Sequence, residues 1–145
     1  PLQLQSVTLK NIGKFQNHTV NFKKDTINAV CGPNGSGKST MLRAIHQVFC
    51  SPKNYFSDSE NAEIQVRLFP DQQTATINPN EYDLQDLTRG YKCLLLDNFV
   101  PRASPIMLMD LLKLLADLQI QVITTAYDPS RFPETTNIIN LQPQP

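Results

Sequence analysis

Hydrophobic and polar positions alternate along the first part of the chain. Apolar residues at every second position in Val7–Leu9 and Val20–Phe22 predict short β-strands. The residues of Asn11–Gly13 and Gln16–His18 predict the turns between these strands. Ile27–Cys31 is a short, mostly apolar run that ends at a glycine, and this pattern indicates a buried parallel strand.

The pattern then changes to helical spacing. One face of a helix from about Lys38 to Cys50 would carry the apolar residues Met41, Leu42, Ile45, Val48 and Phe49. Ser51-Pro52 ends this predicted helix. Two alternating runs, Ile64–Leu68 and Thr74–Ile77, lie on either side of Pro70-Asp71 and predict a β-hairpin.

The second half of the chain predicts a further strand, helix, strand and strand. Cys93–Leu96 reads as a buried strand. Ser104 is a candidate cap and Pro105 a candidate first-turn residue of the next helix. Because that helix is apolar on nearly every side, we expect it to be well covered. Gln121–Thr125 and Ile138–Leu141 predict the last two strands.

This order of elements predicts an α/β fold. Alternating strands and helices form a parallel sheet, and the N-terminal strands with the central hairpin form a second, antiparallel sheet. The 145 residues contain no linker long enough to divide them, so we expect one domain over residues 1–145.

Charge and cysteine content narrow the range of partners. Thirteen basic and thirteen acidic residues cancel, which leaves DNA binding open but gives it no support. The three cysteines are far apart and favour buried thiols in a reducing cytoplasm over a disulfide framework. The apolar stretch Ile106–Leu118 is too short and too charged to span a bilayer, so no membrane partner is expected.

A complete match to the phosphate-loop pattern G-x-x-x-x-G-K-[ST] follows the Ile27–Cys31 run. Its residues are Gly32, Pro33, Asn34, Gly35, Ser36, Gly37, Lys38 and Ser39. The glycines let backbone N–H groups approach phosphate oxygens, and the N-terminus of the following helix faces the same anion. Lys38 should reach the β- and γ-phosphates, and Ser39 should hold Mg²⁺. With Thr40 completing the set, these residues predict a site for a nucleoside triphosphate.

The strand Cys93–Leu96 ends at an acid. In a phosphate-loop fold, that acid lies beside the loop and coordinates Mg²⁺, so Asp97 is the second predicted metal ligand. Many ATPases place a glutamate at the next position, where this chain has Asn98. Because asparagine cannot accept a proton, Asn98 is expected to be a degenerate water-positioning residue. General-base assistance is worth about 10²–10⁴-fold, so slow hydrolysis or none would follow.

The segment Leu2–Cys50 resembles the N-terminal half of an ABC-type ATPase head of the SMC, RecF and SbcC kind, and Leu94–Asp97 and Gln121–Thr125 resemble its second acidic motif and next strand. The resemblance is carried by Leu9–Phe15, Val20–Phe22 and Asn28–Thr40, with Pro33-Asn34-Gly35 inside the loop particular to such heads. It implies binding of ATP, assembly with a second copy or a partner protein, and roles in DNA repair, chromosome maintenance or phage defence. Two roles are open for Phe15, a contact to the nucleotide base or a core aromatic.

The remainder of the chain departs from that family pattern. Leu87–Tyr91 is only faintly similar to the signature L-S-x-G-x and runs straight into Cys93 without the long helix that normally intervenes. Tyr127 stands where the family has a histidine, and Asn98 where it has a glutamate. The parts that would hold the nucleotide remain. This combination is typical of a reduced head that binds ATP as a switch, or of a shortened piece of a larger protein.

Three functions follow from these observations. The first is an ATP-binding module whose occupancy controls assembly with itself or a partner. The second is an active ATPase with an unrecognised catalytic group. The third is a small phosphate-loop kinase, for which Arg89, Arg102 and Arg131 are candidate phosphate contacts. A GTPase is disfavoured because the guanine-reading motif N-K-x-D is absent from the sequence.

Overall fold

Two four-stranded sheets and two helices make up the described part of the chain. The computed structural model describes residues 3–49, 61–69, 74–77, 93–96 and 104–142. The strands are β1 (Gln3–Ile12), β2 (Phe15–Asn21), β3 (Ile27–Cys31), β4 (Glu63–Phe69), β5 (Thr74–Ile77), β6 (Cys93–Leu96), β7 (Gln121–Ala126) and β8 (Asn137–Asn140). The helices are α1 (Lys38–Phe49) and α2 (Pro105–Leu118).

The first sheet is antiparallel and has the strand order β2-β1-β4-β5. Val7 on the central strand lies opposite Val20 on one side and Val66 on the other, and all three side chains are buried. The register shifts between Leu4 and Ser6, as at a β-bulge. A bulge adds one residue to one strand and so shifts the alternation of inward and outward side chains by one position. Before the bulge the even-numbered Leu4 faces inward, and after it the odd-numbered Val7 does. The sheet predicted from the alternation is confirmed.

The second sheet is parallel and has the order β6-β7-β3-β8. Every residue of β3 and of β7 is buried, as expected for central strands covered on both faces. Val30 and Ile123 join the main core with α1 and the antiparallel sheet, whereas Ile27 and Val122 pack with Leu115 of α2. The two helices therefore cover opposite faces of the parallel sheet.

One buried glutamine joins the two sheets. The Gln121 side chain is fully buried, its Nε2 donates to the carbonyl oxygens of Leu4 (2.7 Å) and Lys23 (3.1 Å), and its Oε1 accepts from the Leu4 N–H (2.8 Å). Gln121 begins β7 in the parallel sheet, and Leu4 lies in β1 of the antiparallel sheet. These bonds hold the two sheets together and satisfy a backbone N–H next to the bulge.

Two of the sequence expectations are wrong. Gln16–His18 forms part of β2 instead of a turn, because these polar side chains point to solvent on an edge strand, and the chain turns at Gly13-Lys14. Helix α2 is not well covered, since Ile106, Met107 and Leu114 are more than half exposed. Among the described side chains of α2, Leu111 and Leu115 pack against the parallel sheet.

From β3 onward, the predicted strands and helices agree with the structure to within one residue at each described end. The first two strands are longer than the predicted Val7–Leu9 and Val20–Phe22, and β1 takes in the first two residues of the predicted turn Asn11–Gly13. The Ser104 hydroxyl accepts from the Met107 N–H at 3.2 Å, so the predicted cap of α2 is present. Pro70-Asp71 and Cys50–Pro52 lie outside the described residues. Neither α1 nor α2, the helices of the described ranges, is long and apolar enough to cross a membrane.

Replacing Gln121 tests the joint between the sheets. Gln121→Leu keeps the volume but removes both partners of the Leu4 backbone, and each buried group left unpaired costs about 1–3 kcal/mol. We expect the free energy of unfolding, measured by urea titration, to fall by about 2 kcal/mol or more. The matched control is Gln16→Leu, on an exposed position of β2, which should change it little. Equal stability of Gln121→Leu and wild type would contradict this role.

Candidate functional site

The loop between β3 and α1 leaves the carboxyl edge of the parallel sheet, held by neighbours on both sides. The Gly32 N–H donates to the Ala126 carbonyl oxygen of β7 at 3.2 Å. On the other side, the Leu141 N–H donates to the Cys31 carbonyl oxygen at 2.8 Å. Ligands of open α/β sheets bind beyond this edge, where the strand order reverses direction. The chain turns from β3 into α1 between its two parallel neighbours β7 and β8.

Glycine is required where the loop meets the first sheet. Gly37 has φ +98°, and a Cβ placed there would lie 2.6 Å from Cζ of Phe15. Gly35 also has positive φ, at +81°, but a Cβ there would meet no atom within 4 Å. The loop thus needs left-handed backbone at both positions, and at Gly37 it also rests directly on an aromatic ring.

Helix α1 begins at the end of this loop. The first intrahelical bond runs from the Met41 N–H to the Gly37 carbonyl oxygen at 2.9 Å. Before it, the Ser36 N–H closes a turn on the Pro33 carbonyl oxygen at 3.2 Å. The first N–H groups of a helix have no intrahelical acceptor, and with the helix dipole they favour an anion. No residue of the first turn of α1 is acidic.

A cavity of about 350 Å³ opens above the loop and the first turn of α1. Among the described residues, its lining consists of Lys14, Asn34, Gly35, Gly37, Lys38, Ser39 and Thr40. Two lysines and no carboxylate belong to this set. The site therefore suits an anion with several oxygens, and its size is in the ordinary range for a small-molecule pocket.

Six of the nine residues predicted to bind nucleotide line this cavity. The other three are Gly32, Pro33 and Ser36, of which Gly32 and Ser36 are buried. They form the underside of the loop: a Cβ on Gly32 would approach Ser36 Oγ to 2.6 Å. These three residues shape the loop, and the six lining residues are placed to contact a ligand.

Lys14 is the lining residue to which sequence reasoning gave no role. It lies in the turn between β1 and β2, donates from Nζ to the Gln142 carbonyl oxygen, and has Nζ 5.7 Å from the centroid of the Phe15 ring. The Leu9–Phe15 segment carried part of the family resemblance, but nothing local in it indicated that the turn would fold over the loop. Its contribution is a second cation in the cavity.

Of the two roles open for Phe15, a contact to the nucleotide base or a core aromatic, the structure shows the core aromatic. Its side chain is 4% exposed, joins the main hydrophobic cluster, and lies under Gly37. It is not among the cavity-lining residues. The ring of His18 lies 5.1 Å from the Phe15 ring, centroid to centroid. Phe15 therefore supports the loop from below.

Tyr127 and Cys31 lie beside Lys38 on the sheet side of the loop. The Lys38 Nζ lies 5.4 Å from the centroid of the Tyr127 ring, which follows β7 directly. Burial raises the pKa of the Cys31 thiol; the Lys38 ammonium lowers this pKa and the Asp128 carboxylate raises it. Because the net shift is upward, Cys31 is a neutral thiol at physiological pH and not a nucleophile.

The remaining predicted site residues lie outside the described part. Asp97 and Asn98 follow β6, whose last residue, Leu96, pairs with Thr124 of β7 near the edge from which the loop emerges. Leu87–Tyr91 and two of the candidate arginines also lie outside it. Within the described ranges, no group of three or more His, Cys, Asp or Glu residues could hold a metal ion.

Family comparison places the chain among known ATPase domains. A family model described as AAA domain (AAA_23) matches residues 6–92, which is more than half of the 145 residues. The chain therefore belongs to this family. The matched segment includes the whole phosphate loop, α1, most of β1 and the strands β2 to β5.

Individual relatives agree with this assignment. The glutamate/aspartate import ATP-binding protein GltL of Escherichia coli K12 is 38% identical over 47 residues, which is 28% of this chain and 20% of GltL. The SMC head domain from Thermotoga maritima is similar in structure over 87% of this chain and 89% of that one, with TM-score 0.56 and 14% identity.

A putative metal-chelate type ABC transporter in an inward-facing conformation is similar over 94% of this chain and 80% of that chain, with TM-score 0.52 and 17% identity. At these identities the two structures establish the fold alone. Together with the family match, they show a phosphate-loop domain of the AAA family with the fold seen in that SMC head and in that ABC transporter.

The contact between Gly37 and Phe15 predicts unequal effects of two alanine substitutions. Gly35→Ala and Gly37→Ala both place a side chain at positive φ, which costs about 1–3 kcal/mol. Only Gly37→Ala adds a clash, with the Phe15 ring at 2.6 Å. We expect Gly37→Ala to lower the free energy of unfolding by about 1–3 kcal/mol more than Gly35→Ala, measured without nucleotide. Equal losses would show that the ring does not support the loop.

Proposed function

We propose that this chain binds ATP with Mg²⁺ and acts as a nucleotide-dependent switch or assembly module. The observation that carries the proposal is the cavity at the β3–α1 loop, in which Lys14 and Lys38 meet the N-terminus of α1. Two ammonium groups and a row of free N–H groups match the charge and the oxygens of a triphosphate. The family match to AAA domains supports the same ligand.

Roles within the site follow from position and chemistry. Backbone N–H groups from Asn34 to Lys38 surround the phosphates, and the Lys38 ammonium reaches the β- and γ-phosphates. Lys14, which also lines the cavity, supplies a second positive charge. Thr40, in the first turn of α1, lines the cavity and completes the nucleotide-binding set proposed here, Gly32–Thr40.

Magnesium fits the donors at the start of α1. Mg²⁺ prefers oxygen ligands and is usually bound through one or two protein groups together with substrate phosphates. The Ser39 side chain lines the cavity on an exposed position, so its hydroxyl is free to serve as such a ligand. Asp97, directly after β6, is the second proposed ligand. When bound, the ion neutralises charge on the β- and γ-phosphates.

The proposed activity is binding with weak or no hydrolysis by the chain alone. Asn98 occupies the position at which many ATPases have a glutamate base, and Tyr127 the position of the family histidine. Assembly with a second copy or with a partner protein would supply what a single chain lacks. A role in DNA repair, chromosome maintenance or phage defence, a single domain over residues 1–145 and a cytoplasmic location belong to the same proposal.

Lys38→Ala should weaken ATP binding tenfold or more. The substitution removes a charge-assisted bond to the phosphates, worth about 1.5–3 kcal/mol. Isothermal titration with ATP and Mg²⁺ measures the change, and the same titration in EDTA should show weaker binding to the wild type. The control is Lys24→Ala: this exposed lysine precedes the amino end of β3, whereas the loop follows its carboxyl end. Equal affinity of Lys38→Ala and wild type would refute the proposed site.

Hydrolysis by the wild type alone should be slow or undetectable. Asn98→Glu should stay nearly inactive as well, because a base gains little when no partner supplies positive groups to the γ-phosphate, which are worth about 10³–10⁵-fold. Any ATP-dependent dimer should be weak. A phosphate-release assay measures the turnover of both proteins, and size-exclusion chromatography with and without ATP measures the dimer. Turnover on the order of one per second or faster would instead identify a working ATPase.

A further inference from the structure

The backbone at Tyr127 is held next to the phosphate loop by hydrogen bonds on both sides. Tyr127 follows Ala126, whose carbonyl oxygen accepts the Gly32 N–H and so ties the end of β7 to the start of the loop. On its other side, Asp128 caps a short 3-10 helix by accepting from the Ser130 N–H (2.9 Å) and hydroxyl (2.8 Å). The backbone on both sides of the ring is therefore held.

The ring itself is not part of the core. Tyr127 is 64% exposed, and the Lys38 ammonium lies 5.4 Å from the centroid of its ring. A lysine ammonium within about 6 Å of a tyrosine centroid is attracted by the negative face of the ring. The side chain is thus held out from the sheet with its ring facing the cation of the phosphate loop.

A neighbouring ring can lower the entropic cost of fixing the Lys38 side chain on a ligand. This four-carbon side chain is flexible and loses rotamer freedom when it is fixed on a ligand. A ring that holds the ammonium before the ligand arrives reduces that loss. The ammonium has three N–H donors, so contact with the ring still leaves donors for phosphate oxygens. Preorganisation of this kind raises affinity without adding a contact to the ligand.

We propose that Tyr127 is a positioning residue that orders Lys38 for the β- and γ-phosphates through the face of its ring. This inference rests on the proposed function, since it requires Lys38 to bind these phosphates. It assigns to Tyr127 a role in ligand affinity that depends on the ring and on Lys38, and that is independent of the phenol hydroxyl.

A double-mutant cycle tests the proposal. Affinity for ATP with Mg²⁺ is measured by calorimetry for wild type, Tyr127→Leu, Tyr127→Phe, Lys38→Ala and the Tyr127→Leu/Lys38→Ala double variant. Leucine keeps apolar bulk but removes the ring, so Tyr127→Leu should weaken binding by about two- to fivefold, the value of an exposed cation–π contact. Tyr127→Phe keeps the ring and should bind as the wild type does. In the Lys38→Ala background, Tyr127→Leu should have no further effect.

AMP provides the second measurement. AMP lacks the β- and γ-phosphates, so Tyr127→Leu should leave the affinity for AMP unchanged. This comparison still tests the proposal if Lys38→Ala binds ATP too weakly for the double-mutant cycle to be completed. Met107→Ala, another exposed apolar position, is the control for general effects of surface substitution, and thermal unfolding checks that each variant folds.

Several results would overturn the proposal. The first is ATP binding by Tyr127→Leu that is as tight as that of wild type, or tighter. The second is a loss of affinity on Tyr127→Leu that is equally large in the Lys38→Ala background or with AMP. The third is a loss of ATP affinity in Tyr127→Phe. Failure of the proposed function has a different signature. In that case wild type and Lys38→Ala would bind ATP equally, or neither would bind it.

Discussion

The site depends on the way β3 is fixed between two parallel neighbours. Hydrogen bonds from β7 and from the segment after β8 hold both sides of the chain where β3 ends, at Gly32 and Cys31. All five residues of β3 are buried, so the strand cannot shift without disturbing the core on both faces. This clamp gives the following loop a fixed starting point, from which α1 can direct its free N–H groups into the cavity.

The antiparallel sheet contributes directly to the site as well as to the core. Phe15 and Lys14 come from its first hairpin; the ring lies under Gly37, and the ammonium lines the cavity. The loop is thus enclosed from two directions, by the sheet that precedes it in sequence and by the sheet that contains it. Gln121 holds β1 against the other end of β7, so the two sheets are joined at both ends of that strand.

Sequence reasoning succeeded where the determinants are local. The phosphate loop, the cap at Ser104 and the buried strands are specified by residue types at short spacing, and their positions agree with the structure. Lys14 was missed because its place in the cavity depends on packing between segments more than twenty residues apart in sequence. The β-bulge after Leu4 and the exposed face of α2 were missed for a related reason, since tertiary pairing and coverage decide them.

The two cations of the cavity connect the site to the last part of the described chain. Lys14 donates to the Gln142 carbonyl oxygen after β8, and Lys38 lies over the Tyr127 ring after β7. The Lys14 ammonium has three N–H donors, so its bond to the Gln142 carbonyl oxygen leaves two of them for phosphate oxygens. The contact between Lys38 and the ring face likewise leaves N–H donors of that ammonium available. Under the proposed function, the segments after β7 and β8 would therefore both keep their contacts with the two lysines when a triphosphate is bound.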